Sequence, residues 1–161
     1  QAVTKLSLLY PTEQITTEMI HHAIHDCSRC NIFDLANYTL ENNPQQFMKA
    51  LRILQQEGAE TTLILWSLAK ETRTLHELVS AAVSGADPRS LLQSQWQSRR
   101  GLLQAAMKRH NPDTLMRILE LCQRADLVIK GLHDANIWRL FSQIGLALCG
   151  TLTPSRDSAY V

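Results

Sequence analysis

Three groups of residues in this chain are of types that could do chemistry. The first is Cys27-Ser28-Arg29-Cys30, a C-x-x-C with His21, His22 and His25 one helix turn upstream. Thiolate and imidazole are the ligands zinc prefers, but a strong zinc signal needs two such pairs, and one is present. Two turn cysteines beside exposed histidines account for the pattern, so no metal is expected. A redox role would need the pair at a helix N-terminus in a βαβ setting that lowers the thiol pKa. The second group is Trp96 followed by Arg99 and Arg100. An aromatic beside a basic pair can stack on a base and hold a phosphate. The plainer reading is a solvated helix face with Trp96 in the core. The third is Lys108-Arg109-His110 at a helix end, where cations offset the negative end of the macrodipole. Trp66 and Trp138 lie among apolar neighbours and read as core.

Catalytic spacing is missing. The sequence contains no G-x-x-x-x-G-K-[ST], no G-x-S-x-G and no H-E-x-x-H, which removes the usual phosphate cradle, nucleophile elbow and zinc-protease helix. Carboxylates are scattered singly on polar faces, so no acid–base pair is suggested by spacing. No catalytic residue and no cofactor is expected.

The elements that would position these residues are helices. Residues 1–9 read as a helix end stopped by Tyr10-Pro11, because the residue before a proline is pushed out of the α region. Ile15-Thr16-Thr17-Glu18 opens a helix to about Asp26, with a threonine cap and Met19, Ile20, Ala23 and Ile24 on one face. Cys27 to Asn31 lacks periodicity and reads as a hinge. Ile32, Phe33, Leu35, Ala36 and Leu40 restart a helical pattern. Asn43-Pro44 opens the next helix as cap and first-turn proline, with Phe47, Ala50, Leu51 and Leu54 inward and Gly58 as its stop.

The longest run goes from Glu60 to about Ser84. Its apolar positions are Leu63, Ile64, Trp66, Leu68, Leu75, Leu78, Val79 and Ala82, near a 3.6 period, and Gly85 ends it. Asp87-Pro88 begins a short helix with Leu91 and Leu92. Trp96 to His110 follows, with Leu102, Leu103, Ala106 and Met107 inward. Asn111-Pro112-Asp113 repeats the cap-plus-proline start, ahead of Leu115, Ile118, Leu119, Cys122, Leu127 and Ile129. The last helix runs from about Asn136 to Cys149 and stops at Gly150. Residues 151–161 are polar, contain Pro154 and read as a loose tail. The fold class is all-α, an antiparallel helical bundle with short connections after a short helical piece. No period of 20 to 50 residues recurs, so it is not a solenoid.

Composition narrows the function classes. With 161 residues the chain can bury one real core. Its 16 basic and 15 acidic side chains nearly cancel, which gives no global reason for a nucleic-acid or membrane-surface partner. No apolar run approaches the roughly 20 residues of a membrane span; Ile137 to Cys149 comes nearest, interrupted by Arg139 and Gln143. Cys27, Cys30, Cys122 and Cys149 read as reduced cytoplasmic thiols. The chain starts at Gln1, without a Met, and is expected to be a piece of something longer.

The order of several short motifs resembles the delta-subunit family of the bacterial DNA polymerase III clamp loader. Lys5 to Pro11, Ile15-Thr16 and the helix to His25-Asp26 are similar to the end of that family's AAA+ lid subdomain. Phe33-Asp34-Leu35 resembles the start of its C-terminal domain. Ala50 to Gln56 with Glu57-Gly58, and Leu65 to Glu71, are similar to the next two helices. Trp96-Gln97-Ser98-Arg99-Arg100 resembles the family's W-x-x-R-R. Ala125-Asp126-Leu127, Lys130 and Trp138 resemble its last two helices.

The resemblance implies a domain division: lid at 1–26, hinge at 27–31, a helical collar domain at 32–150 and a tail at 151–161. It implies a collar role, holding the subunit among gamma/tau and delta prime subunits in a five-part assembly that loads the sliding clamp on primed DNA. The family belongs to a DNA-directed DNA polymerase assembly, yet this subunit lacks a working ATPase site, in agreement with the missing P-loop. Its clamp-opening element lies in an N-terminal domain outside this chain. Ser28-Arg29-Cys30 spells the arginine-finger tripeptide of other loader subunits but falls in the hinge, so that role is not transferred. The turn before the final helix can present an aromatic to the primer–template junction; His133 holds that place, with Arg99 and Arg100 as further expected DNA contacts. The alternative is a helical DNA-binding domain using Arg99, Arg100, Lys108 and Arg109.

Overall fold

The computed structural model describes residues 31–95 and 97–154. The expected lid piece, most of the hinge, the C-x-x-C with its histidines, Trp96 and residues 155–161 lie outside the described residues. Among the described residues there are seven helices and no strand: α1 Ile32–Leu40, α2 Pro44–Gln56, α3 Thr61–Val83, α4 Arg89–Gln93, α5 Gln97–Met107, α6 Pro112–Ile129 and α7 Ile137–Leu148. The all-α expectation holds.

Local chemistry sets the boundaries. Asn31, Asn43, Asn111 and Asn136 stand just before α1, α2, α6 and α7, and each side-chain oxygen accepts a backbone N–H of the first turn. Those N–H groups have no helical partner, and an Asn cap satisfies one at each start. Pro44 and Pro112 follow their caps directly, where a missing N–H costs nothing. At the far end of α6, Gly131 takes φ +71°. Its N–H donates to Val128 O and the next N–H, of Leu132, reaches back to Leu127 O. This left-handed closure is cheap for glycine and turns the chain toward α7.

The core is one cluster. The most extensive helix pairing is α3 with α6, followed by α6 with α7. Helix α1 packs on α2, α3 and α7, and α5 bears on α1 and α3. Phe47, Ile64, Leu68, Leu103, Leu115, Ile118, Phe141 and Ile144 are fully enclosed. At about 25 cal/mol per Å² of apolar surface removed from water, residues like these dominate the folding free energy. One close approach depends on a missing side chain: a Cβ on Gly145 would collide with the ring of Phe47, so α7 lies against α2 at that point.

Three features depart from the sequence reading. Trp66 was expected in the core but is 50% exposed, as is Leu63 at 53%. The inward stripe of α3 is Ile64, Leu68, Glu71, Leu75 and Leu78, spaced by four and three. Position 66 lies two residues from both Ile64 and Leu68, on the opposite side of the helix. Helix α5 ends at Met107 rather than His110, because Arg109 and His110 turn inward. Residues 151–154 are tied down: Thr151 Oγ1 donates to Leu146 O, and Arg117 Nη1 donates to the carbonyl of buried Pro154.

Candidate interaction surfaces

The basic residues singled out by type are occupied inside the fold. Arg99 Nη2 lies 2.6 Å from Glu71 Oε1, and the carboxylate is almost fully enclosed between α3 and α5. Glu71 Oε2 and Arg99 Nε are buried without a partner, so the pair is only half satisfied. Arg100 donates to Gln95 O at 3.0 Å and Gln93 O at 2.6 Å, closing the end of α4. Arg109 Nη2 donates to Thr39 O at 3.1 Å and Leu40 O at 3.0 Å, closing the end of α1. His110 Nε2 sits 2.9 Å from Leu148 O, the last residue of α7, so Nε2 carries the proton and donates.

These contacts share one physical cause. The last carbonyls of a helix lack intrahelical donors and carry the negative end of its dipole. A guanidinium or imidazole N–H supplies both a hydrogen bond and the favourable charge or dipole. The expected dipole role of Arg109 and His110 is therefore met, but on α1 and α7 rather than on their own helix. Burial lowers the pKa of His110, and the neighbouring Arg109 charge lowers it further against the opposing effect of the Leu148 carbonyl. Cys149 packs at the same junction, its Sγ 4.0 Å from Tyr38 O, and burial raises its thiol to about 11. Cys122, between α3 and α6, is pushed by burial to about 12. Both thiols stay protonated at neutral pH and have no nucleophilic character. Among the described residues no cluster of three or more His, Cys, Asp or Glu could hold a metal. Lys108 is exposed and stands apart from any basic track: Arg99, Arg100 and Arg109 do not form an open patch with it.

The fold also offers large apolar side chains to solvent. Phe33 at the start of α1 is 60% exposed, and its ring meets Trp66 edge-on with centroids 6.5 Å apart. Lys70 Nζ lies over the Trp66 ring at 5.0 Å. Beside this aromatic pair a groove of about 500 Å³ runs between α3 and α6, lined by Leu65, Trp66, Ala69, Leu119 and Cys122 with Thr62, Arg73, Gln123 and Asp126 at its edges. Trp138, in contrast, is half-buried and packs edge-on against Phe141 at 5.8 Å, as expected of a core aromatic.

A second exposed place is the turn between α6 and α7. Leu132 is 72% exposed. His133 beside it is exposed too, and the turn from Val128 to Ala135 frames a shallow hollow. Of the three expected DNA contacts, the structure leaves His133 free to meet a partner and encloses much of Arg99 and Arg100. Nothing brings the three together. Glu71 and the Phe33–Trp66 pair were missed by the sequence reading, although a carboxylate on the inward stripe of α3 was a visible signal. No described helix is long and apolar enough to cross a membrane.

Comparison with known proteins gives a consistent answer. Residues 33–155 match the family model described as the processivity clamp loader gamma complex DNA pol III C-terminal domain. The chain is 26% identical over 151 residues to DNA polymerase III subunit delta of Escherichia coli, covering 92% of this chain and 44% of that protein. It is 23% identical over 159 residues to the same subunit of Haemophilus influenzae, covering 92% of this chain and 46% of that one. The chain thus spans less than half the length of these curated relatives.

Proposed function

From the premise that this chain belongs to the DNA polymerase III delta C-terminal family of processivity clamp loaders, we propose that it is the collar domain that holds its subunit in the loader. The observation that carries this reading is the exposed Phe33, Leu63 and Trp66 group beside the α3–α6 groove. A rigid helical bundle with large aromatic and aliphatic side chains facing water has the chemistry of an assembly surface. The expected partners are the gamma/tau and delta prime subunits, in the cytoplasm, with primed DNA and the sliding clamp met only through the complete assembly. Among the described residues, burial keeps the Cys122 and Cys149 thiols protonated and the buried Glu71 carboxylate is paired to Arg99, which supports a binding role for this surface.

The basic-patch alternative is not favoured, because Arg100 and Arg109 bond helix-end carbonyls and Arg99 bonds Glu71. A DNA contact at His133 remains part of the reading, since an exposed imidazole on a turn can stack on a base. In primed-DNA binding by the assembled loader, His133→Ala should weaken affinity and His133→Tyr should strengthen it; equal affinities for all three forms would remove that contact. For the collar role, the chain is mixed with the other loader subunits and run on a sizing column. Co-elution with them is expected, and separate elution from all of them contradicts the reading.

A further inference from the structure

We propose that the α3–α6 groove and its aromatic border are the docking seat for one amphipathic helix of a neighbouring subunit, and that this helix presents an acidic side chain to Lys70 and Arg73. The inference rests on the collar reading and names the surface and the chemistry of its occupant.

The shape of the groove points to a helix. Its α3 wall is Thr62, Leu65, Trp66, Ala69 and Arg73, positions i, i+3, i+4, i+7 and i+11, which is one stripe of a helix. From Thr62 to Arg73 the wall is about 16 Å long at 1.5 Å per residue. Leu119, Cys122, Gln123 and Asp126 form the opposite wall. Two parallel ridges with a floor of Leu65, Ala69 and Cys122 between them receive a third helix ridge by side-chain interdigitation. The Trp66 ring stands beside that floor, half in water and steadied by Phe33 and Lys70. A Trp of this kind is the residue type that most often carries binding energy when a partner covers it.

Charge decides what the helix carries. Arg73 belongs to this wall and Lys70 stands at its border over the Trp66 ring, both exposed. Neither pairs with a carboxylate among the described residues. On the far wall Asp126 is already paired with Lys130 at 2.6 Å. The open electrostatic demand is therefore for negative charge beside Trp66. Nucleic acid would supply negative charge, but a strand needs a basic track along its phosphates. Here, among the described residues, only Lys70 and Arg73 stand unpaired beside the ring, Phe33 borders it, and Asp126 lines the groove. An apolar helix with a carboxylate about one turn from its anchor satisfies every wall.

The test uses the full-length subunit in the rebuilt loader. Trp66→Asp, and separately Lys70→Glu with Arg73→Glu, should each lower its affinity for the other subunits about tenfold or more, with melting of the free subunit unchanged. If Trp66→Asp disturbs folding, the Lys70 and Arg73 variant, which alters only exposed side chains, decides alone. A photo-crosslinker placed at exposed Leu63 should bond to a helix of a neighbouring subunit, near an Asp or Glu. Reversing that acid to Lys should restore affinity to the Lys70→Glu, Arg73→Glu variant. Wild-type affinity for all variants, a crosslink only within the same chain, or a crosslink only to DNA each overturns the proposal while the collar reading stands. Failure of the unaltered subunit to enter the loader overturns both.

Discussion

The α3–α5 contact and the α3–α6 groove sit on two sides of the same long helix and reverse the usual places of charge and ring. On one side Glu71 and Arg99 meet in the interior. On the other, Trp66 and Phe33 face water. Helix geometry produces both. Residues 64, 68, 71, 75 and 78 share an inward stripe, so the carboxylate at 71 is carried into the core with them. Residue 66 is carried outward whatever its hydrophobicity. The buried charge then requires a cation from α5, and the exposed ring keeps Phe33 at its edge and Lys70 over its face. Among the described residues, Arg99 and Arg109 use their charge to join helices, while Trp66 and Phe33 stand exposed.

The comparison can be broken at the ion pair first. Removing Arg99 strands an enclosed carboxylate, so Arg99→Met should cost about 3 kcal/mol in urea unfolding. Glu71→Leu combined with Arg99→Met should recover most of it, since an apolar pair suits the half-satisfied site. A double variant as unstable as the single one would mean that the pair is not the cause. The next effect is at the α1 end. Arg109→Met frees the Thr39 and Leu40 carbonyls and should cost about 2 kcal/mol, while exposed Lys108→Ala should cost under about 0.5 kcal/mol.

A smaller effect is a pH dependence. The folded pKa of His110 lies below the ordinary 6.5, so the unfolded chain takes up the proton first. Above pH 6.5 both states are neutral there and no penalty arises; as pH falls below 6.5, stability is lost until the folded form also protonates. Thermal melting between about pH 8 and pH 5 should show this loss, and His110→Gln, which keeps an N–H donor for Leu148 O, should reduce it. The effect on the outward side is modest: Trp66→Ser removes the ring contacts with Phe33 and Lys70 and should cost the free domain about 1 kcal/mol. A loss of several kcal/mol would make Trp66 a core residue after all.

Much of this fold was legible. The Asn-Pro starts at 43–44 and 111–112 and the stops at Gly58, Gly85 and Gly150 follow from local backbone chemistry, which a sequence carries directly. Phe47, Leu51, Leu68, Ile118 and Leu103 were recovered as core from periodicity alone. The failures concern residues whose place depends on a distant neighbour. Arg109 bonds residues 70 positions away, a separation that no local pattern records. Trp66 was misplaced because its hydrophobicity was weighed above its phase on α3. Glu71 could have been found from that same phase. On the expected surface, His133 stands exposed on the α6–α7 turn, whereas Arg99, Arg100 and Arg109 bond groups within the fold.

We propose that residues 32 onward hold the subunit in the loader. Sedimentation of a loader rebuilt with the full-length subunit, intact or ended at residue 31, tests it directly. The full assembly is expected with the intact subunit, and loss of the subunit from the complex on truncation. An assembly of unchanged composition and affinity with the truncated subunit would contradict it.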